Sequence, residues 1–213
     1  MDKKTLKNDI SKYLIPRTIL FEKGKDFISN AIIEAQNIFW EEQGKKSQWS
    51  HIGFLGSDGK FYESTVKFTW GKLVYGIRVS KPKKILKEIF KNDEKIGIQF
   101  NLGEISNEDW DKITEEGKKL KKKKCTYGGL ELVGTLFTIM RWKFTRDPEK
   151  RKKLLQEHNP FNDVKSMYCI AFVADCIEKA SVEYVNVEHS ISTVDHGWFT
   201  ELKHDSKKFE ILE

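Results

Sequence analysis

Residues 161–180, FNDVKSMYCIAFVADCIEKA, constrain the fold more than any other stretch, because they set a cysteine where a helix begins. Asn162, Asp163 and Ser166 can each accept a hydrogen bond from the free N–H groups of a first turn, so a helix start within this segment is expected. Cys169 then falls in the first turn or so. There the unpaired N–H groups and the positive end of the helix dipole favour the thiolate, the nucleophilic form of the side chain. Beyond it Ile170, Ala171, Val173, Ala174 and Ile177 make the helix nearly all apolar, as a buried helix is. A buried helix that aims its N-terminus at a cleft holds such a nucleophile rigidly. The competing reading is a plain core cysteine, since cysteine is among the most buried residue types.

A cysteine nucleophile needs a base, and the base is usually oriented by a third polar group. Of the five histidines, His158 lies in a charged excursion and His189, His196 and His204 in the polar C-terminal part. Only His51 begins an evident core strand. Residues 49–55 and 60–64 read as two strands around Gly56-Ser57-Asp58-Gly59, a hairpin turn whose glycines and aspartate tolerate the required backbone angles. Counting outward from the turn sets position 51 opposite about 63 to 65, which makes Glu63 a cross-strand neighbour of His51. Gly53 leaves room beside the histidine. A core histidine satisfied by a backbone carbonyl and a surface ion pair for Glu63 are the competing readings.

The remaining elements surround these two. A chain of 213 residues with 38% hydrophobic and 12% aromatic content builds one core, so residues 1–213 are expected to form a single domain. Residues 15–21 predict a first strand ending at the Glu-Lys-Gly-Lys turn. A helix follows, whose stripe of Phe27, Ile28, Ala31, Ile32, Ala35, Ile38 and Phe39 is core and not a cofactor box. Strands are expected at 74–79, 95–100, 182–187 and 209–212, and helices at 85–90, from Ser106-Asn107-Glu108-Asp109 onward, and at 130–144. Residues 146–159 read as an irregular, charged surface excursion.

Charge and cysteine usage limit the function classes. The net charge is +6, but 38 basic residues stand against 32 acidic ones, so the basicity is mild. The lysine run at 118–124, interrupted by Leu120, reads as a solvated helix end before it reads as a phosphate-binding strip. Three cysteines without metal-ligand spacing argue against a disulfide framework or a zinc site and suit a reducing compartment. The N-terminus lacks an apolar secretion segment and no apolar run approaches membrane-spanning length, so a cytoplasmic location is expected, with no transmembrane segment. No metal or cofactor is called for.

Taken in order, SHIGFLGSDGKFYES, CTYGGLELVGTL and MYCIAFVADCI resemble the circularly permuted branch of the NlpC-type papain-like cysteine peptidases and amidases, in which the histidine strand precedes the cysteine helix. The resemblance runs from about residue 15 to the C-terminus. It implies an α+β, permuted papain-like fold: an antiparallel sheet or half-barrel packed against the helix that carries the cysteine. It further implies Cys169 as nucleophile, His51 as base, Glu63 as the residue orienting that base, and Cys125 and Cys176 as structural residues. Tyr127-Gly128 stands where the family often has Tyr-Asp, which places Tyr127 as a residue lining the substrate. Two departures bear on substrate contacts: Pro16-Arg17-Thr18 replaces the usual Pro-Gly-Asp, and Ile170-Ala171 replaces Ser-Glu after the cysteine. The implied function is a thiol-dependent hydrolase, a peptidase or amidase with acyltransferase chemistry also in range. Its substrate would be an amide or ester in a peptide, a cell-wall fragment or an acyl-lipid. The alternative from another class is a non-catalytic basic module on the same fold, binding nucleic acid or another anionic partner; the mild basicity makes nucleic acid a weak candidate.

Overall fold

The computed structural model describes residues 14–25, 29, 30, 32–34, 37, 49–69, 72–92, 95–100, 105–128, 134, 137, 141, 144–156, 167, 169–180, 208 and 209. The strands are β1 (Thr18–Lys23), β2 (His51–Leu55), β3 (Phe61–Thr69), β4 (Lys72–Ser80), β5 (Lys95–Phe100) and β6 (Lys208–Phe209). Among the described residues four helices are delimited at both ends: α1 (Pro82–Asn92), α2 (Asn107–Lys122), α3 (Pro148–Gln156) and α4 (Cys169–Ala180). All strand pairs are antiparallel and the order is β4-β3-β2-β1-β5-β6, so the chain is α+β.

Alternation along the strands sorts their side chains onto two faces. Ile19, Phe21, Ile52, Phe54, Tyr62 and Ile77 join one core with Trp110, Ile113 and Leu120 of α2 and the buried run of α4. Leu20, Leu55 and Phe61 join a smaller core on the other face with Ile85, Leu86 and Ile89 of α1. In the larger core Phe54 stacks on Tyr62 at 5.2 Å and on Phe172 at 5.8 Å, with the edge of Trp110 at 6.0 Å. The indole N–H of Trp110 donates to the Leu55 carbonyl at 2.9 Å, so its one polar atom is satisfied inside the core. Every residue of α4 from Cys169 to Ile177 is buried, the outcome its apolar sequence requires.

The hairpin forms as the turn residues dictate. Gly59 adopts φ +69, its N–H donates to Gly56, and Asp58 Oδ1 accepts from the Lys60 N–H at 3.1 Å. The register sets Gly53 opposite Glu63, Phe54 opposite Tyr62 and Leu55 opposite Phe61. β3 and β4 extend beyond the expected 60–64 and 74–79, because they pair with each other from Phe61↔Ser80 to Thr69↔Lys72.

Several boundaries differ from expectation for local reasons. β1 starts at Thr18 and not at 15, since Arg17 at φ +75 breaks the extended path and Ile15 is left exposed. It then runs through Glu22 into the expected turn, because Glu22 pairs with both His51 and Ile96. α1 begins at Pro82, a residue suited to the first helical position. The charged excursion at 146–159 was expected to be irregular, and its residues 148–156 are instead α3. Asp147 Oδ1 accepts from the N–H groups of Glu149 and Lys150 ahead of Pro148, a helix start that outweighs the weak apolar pattern.

Other expectations hold where they can be followed. Ser106 caps α2 by accepting from the Asp109 N–H at 3.0 Å, and the lysine run proves to be the end of α2 and the residues just after it. The backbone is helical at 29, 30, 32–34 and 37, with Ile32 buried, and at 134, 137, 141 and 144. α4 begins at Cys169. Asn162, Asp163 and Ser166, the expected caps, lie outside the described residues, as do 182–187 and 210–212, while Phe209 pairs with Ile98. Among the described residues no helix is long and apolar enough to cross a membrane.

The room left by Gly53 is filled. A Cβ there would lie 2.3 Å from Phe61 Cζ and 2.7 Å from the Tyr62 carbonyl oxygen, and the second of these atoms is backbone. Gly53→Ala should therefore destabilise the fold by ~1–3 kcal/mol, the usual scale of overpacking. Urea unfolding measures it, and a loss below ~0.5 kcal/mol would show that the β2–β3 pair yields to the extra carbon.

Candidate active site

His51 is the first residue of β2, and the alternation of the sheet places it on the α1 face together with Glu22, Glu63 and Arg78. Glu22 stands directly opposite it in β1. Glu63 stands opposite Gly53 on one side and Arg78 on the other. The Glu63 carboxylate reaches diagonally across the strand pair to the ring: His51 Nε2 donates to Oε2 at 2.7 Å. Arg78 Nε donates to Oε1 at 2.6 Å, and Arg78 Nη2 reaches on to Glu88 Oε2 of α1 at 2.7 Å. Glu22, His51, Glu63, Arg78 and Glu88 thus form a row of alternating charge from β1 to α1.

The row explains how Glu63 tolerates complete burial. Its side chain is 0% exposed. A buried ion costs several kcal/mol unless it is closely paired, and here each carboxylate oxygen faces a cationic N–H at hydrogen-bonding distance. The expectation that Glu63 could be a surface ion pair is overturned. Breaking such a pair from one side costs about 3–5 kcal/mol, mostly the penalty for the charge left behind.

Cys169 is the first residue of α4 and is 2% exposed. The segment ahead of it is tied down twice. The Met167 N–H donates to the Thr126 carbonyl at 3.0 Å, and Ser64 Oγ donates to the Met167 carbonyl at 2.5 Å. His51 opens its strand, so its ring is not confined behind the sheet, and it shares a hydrogen bond with the Cys169 side chain. The five-histidine choice narrows accordingly: His51 is at the thiol, while His158, His189, His196 and His204 lie outside the described residues.

Electrostatics favour a charged ring. Burial, the largest influence on His51, lowers its pKa, but the hydrogen bonds to Cys169 and Glu63 and the charge of Glu22 outweigh it and raise the value from 6.5 to about 10. The other two thiols are pushed the opposite way from reactivity. Burial raises Cys125, and it raises Cys176, two turns into α4, well above the ordinary thiol value. None of the three cysteines is in a disulfide.

Tyr127 follows Thr126, whose carbonyl holds Met167, and packs against the larger core. It is half-buried, its ring is tilted against Tyr75 at 6.4 Å, and its carbonyl accepts from the Tyr75 hydroxyl at 2.8 Å. One ligand atom from each of Glu22, His51 and Glu63 lies within 4.8 Å of the others, the spacing of a metal site. The chemistry of the set suits a proton better. Both Glu63 oxygens already face N–H donors, and a divalent ion would have to displace the imidazolium while sitting near the Arg78 guanidinium.

The structure therefore brings together Cys169, His51 and Glu63, while the contacts of Tyr127 are with Tyr75. Sequence reasoning missed Glu22, Arg78 and Glu88. A signal existed for two of them: each is a charge that follows an apolar run within its strand, Glu22 in TILFEK and Arg78 in KLVYGIRVS, where the other charge, Lys23 or Lys72, sits at the strand end. No family model matches this chain, and no curated protein matches it.

The raised His51 value has a consequence for stability. A group whose folded pKa lies above its unfolded one stabilises the fold fully below the unfolded value and loses that contribution as pH rises through the folded value. The window here runs from pH 6.5 to about 10. Unfolding free energy should fall across this window in the native protein, and His51→Gln should flatten that limb. An identical slope in the two proteins, measured by urea denaturation at several pH values, would remove His51 from the account.

Proposed function

We propose that this chain is a thiol-dependent hydrolase, a cysteine peptidase or amidase on a single permuted papain-like domain, acting through Cys169, His51 and Glu63. The observation that carries it is one hydrogen-bonded chain from the Cys169 thiol through the His51 ring to a Glu63 carboxylate sealed from water. Chain order supports it as well, since the histidine strand precedes the cysteine helix as in the permuted NlpC-type branch. So does Arg17, which adopts φ +75 at the position where that family has glycine, the residue made for such angles.

In the proposed reaction the Cys169 thiolate attacks the substrate carbonyl, and backbone N–H groups at the head of α4 receive the developing oxyanion. The His51 imidazolium gives its proton to the leaving amine or alcohol as the C–N or C–O bond breaks, leaving a thioester on Cys169. Water then attacks the thioester, His51 takes up the proton, and the acid product leaves. Glu63 keeps the ring in place and balances its charge. Tyr127 lines the substrate. A peptide, a cell-wall fragment or an acyl-lipid supplies the amide or ester, and three cysteines outside any disulfide fit a cytoplasmic setting.

A basic binding module is the weaker reading. Lys118 and Lys119 are paired with Glu115 and Glu116 at 2.7 Å, and Lys121 donates to the Ile77 carbonyl, so half of the lysine run is engaged within the fold. Changing Lys122, Lys123 and Lys124 to glutamine should leave turnover of a small uncharged ester unchanged. A large drop would show that the run shapes the site.

Thiol reactivity tests the main reading without knowledge of the substrate. Cys125 is the most accessible of the three cysteines at 6%, against 2% for Cys169, so accessibility alone would favour Cys125. A limiting dose of iodoacetamide near pH 6 should nevertheless label Cys169 first, by peptide mass mapping, because an adjacent imidazolium favours the thiolate. His51→Ala should slow that labelling and lower any acyl-transfer rate by ~10² or more. Labelling of Cys125 ahead of Cys169 would sink the nucleophile assignment.

A further inference from the structure

The buried row of charges continues past the residues that meet the sulfur, and the chemistry above makes no use of its outer half. Arg78 is buried in β4 directly opposite Glu63, and its guanidinium is gripped at two points: Nε on Glu63 Oε1 at 2.6 Å and Nη2 on Glu88 Oε2 at 2.7 Å. A guanidinium is planar, so two such contacts fix its plane and the direction from which it holds each carboxylate. Holding Oε1 turns Oε2 toward the His51 ring.

We infer that Arg78 is a positioning residue of the site: it keeps Glu63 ionised and aimed at His51, while Glu88 anchors the guanidinium. Its catalytic consequence rests on the hydrolase reading, but its electrostatic effect concerns only the His51–Cys169 pair and can be read apart from turnover. Among the described residues the charged groups around this pair are Glu22 from β1 and Glu63 from β3, with Arg78 from β4 reaching it through Glu63 and Glu88 from α1 through Arg78.

Removal of Arg78 acts on the sulfur by either of two routes. If Glu63 takes up a proton, the imidazolium loses an anion and is itself disfavoured; if Glu63 stays charged, its unbalanced charge faces the sulfur. Both routes disfavour the thiolate. Neutralising Glu88 does the reverse, because it leaves more of the guanidinium charge to act on Glu63 and the pair behind it.

The pH dependence of Cys169 alkylation by iodoacetamide, followed by peptide mass mapping, tests this. Arg78→Met should move the midpoint up by about one pH unit or more, and Glu88→Gln should move it down by about a few tenths. Arg78→Lys keeps the charge within reach of Glu63 and should restore a midpoint near that of the native protein. In a Glu63→Gln background the effect of Arg78→Met should shrink to the part that the guanidinium exerts on the pair directly. A purely structural role would lower the melting temperature without moving the midpoints in opposite directions. An unchanged midpoint in folded Arg78→Met, or an equal shift with and without Glu63, overturns the inference. Should Arg78→Met fail to fold by circular dichroism, Glu88→Gln decides, and a midpoint that stays or rises overturns it. If native Cys169 shows no selective labelling, the hydrolase reading fails instead. The row is then read from the His51 imidazole resonances, whose titration midpoint should fall in Glu88→Gln, and constancy there overturns the inference.

Discussion

Everything at this site depends on a carboxylate sealed from water between an imidazole and a guanidinium. Glu63 is tolerable in the interior only while both neighbours are in place. That condition reaches into the sheet. Arg78 is at hand because β4 pairs with β3 in one register, and His51 is at hand because the β2–β3 register sets it diagonally across from Glu63 on the same face. A slip of β3 by one residue would turn Glu63 toward Phe54, Trp110 and Phe172 in the larger, apolar core. The register of the central strands and the assembly of the site are thus a single constraint.

The two faces of the sheet divide the remaining work. The α1 face carries the charged row beside a small apolar cluster, so its helix serves as a cover and as the source of Glu88. The opposite face carries the aromatic core, against which α4 is buried through its first nine residues. Burial of side chains such as Phe172 contributes about 1.5–3 kcal/mol each, and that packing holds the head of α4 still. The thiol and the ring come from opposite layers. They meet because His51 begins its strand and Cys169 begins its helix, and because Thr126 and Ser64 tie down Met167 just ahead of the sulfur.

What was legible in the sequence was local chemistry. The Gly56–Gly59 turn fixes the hairpin register to within a residue, and the register found, with Glu63 opposite Gly53, makes the His51–Glu63 contact diagonal and not direct. Ser106 marks a helix start and the apolar run of α4 marks its burial. The Asp147-Pro148 start of α3 was equally local and was passed over in favour of its charged composition. Arg78 and Glu88 were not legible as site residues, because their roles arise from β4 pairing with β3 and α1 folding over that face. A charge within an apolar strand signals a buried partner, but the identity of that partner is tertiary information.

On the proposed reaction, the same row also sorts the two roles of His51. A ring whose pKa is raised to about 10 is poorly suited to abstract a proton at neutral pH and well suited to donate one, which is what departure of an amine requires. Two of the influences that raise the value belong to Cys169: its hydrogen bond and its charge. Acylation removes both, since a thioester sulfur is neutral and a poor acceptor. Burial, the largest influence, then acts against Glu63 and Glu22 without the sulfur's help, and the pKa of the ring falls. The ring that has just given up its proton to the leaving group therefore becomes a better match for the next step, taking a proton from water. The two glutamates set how far it falls. Without them the neutral ring would be too weak a base for deacylation.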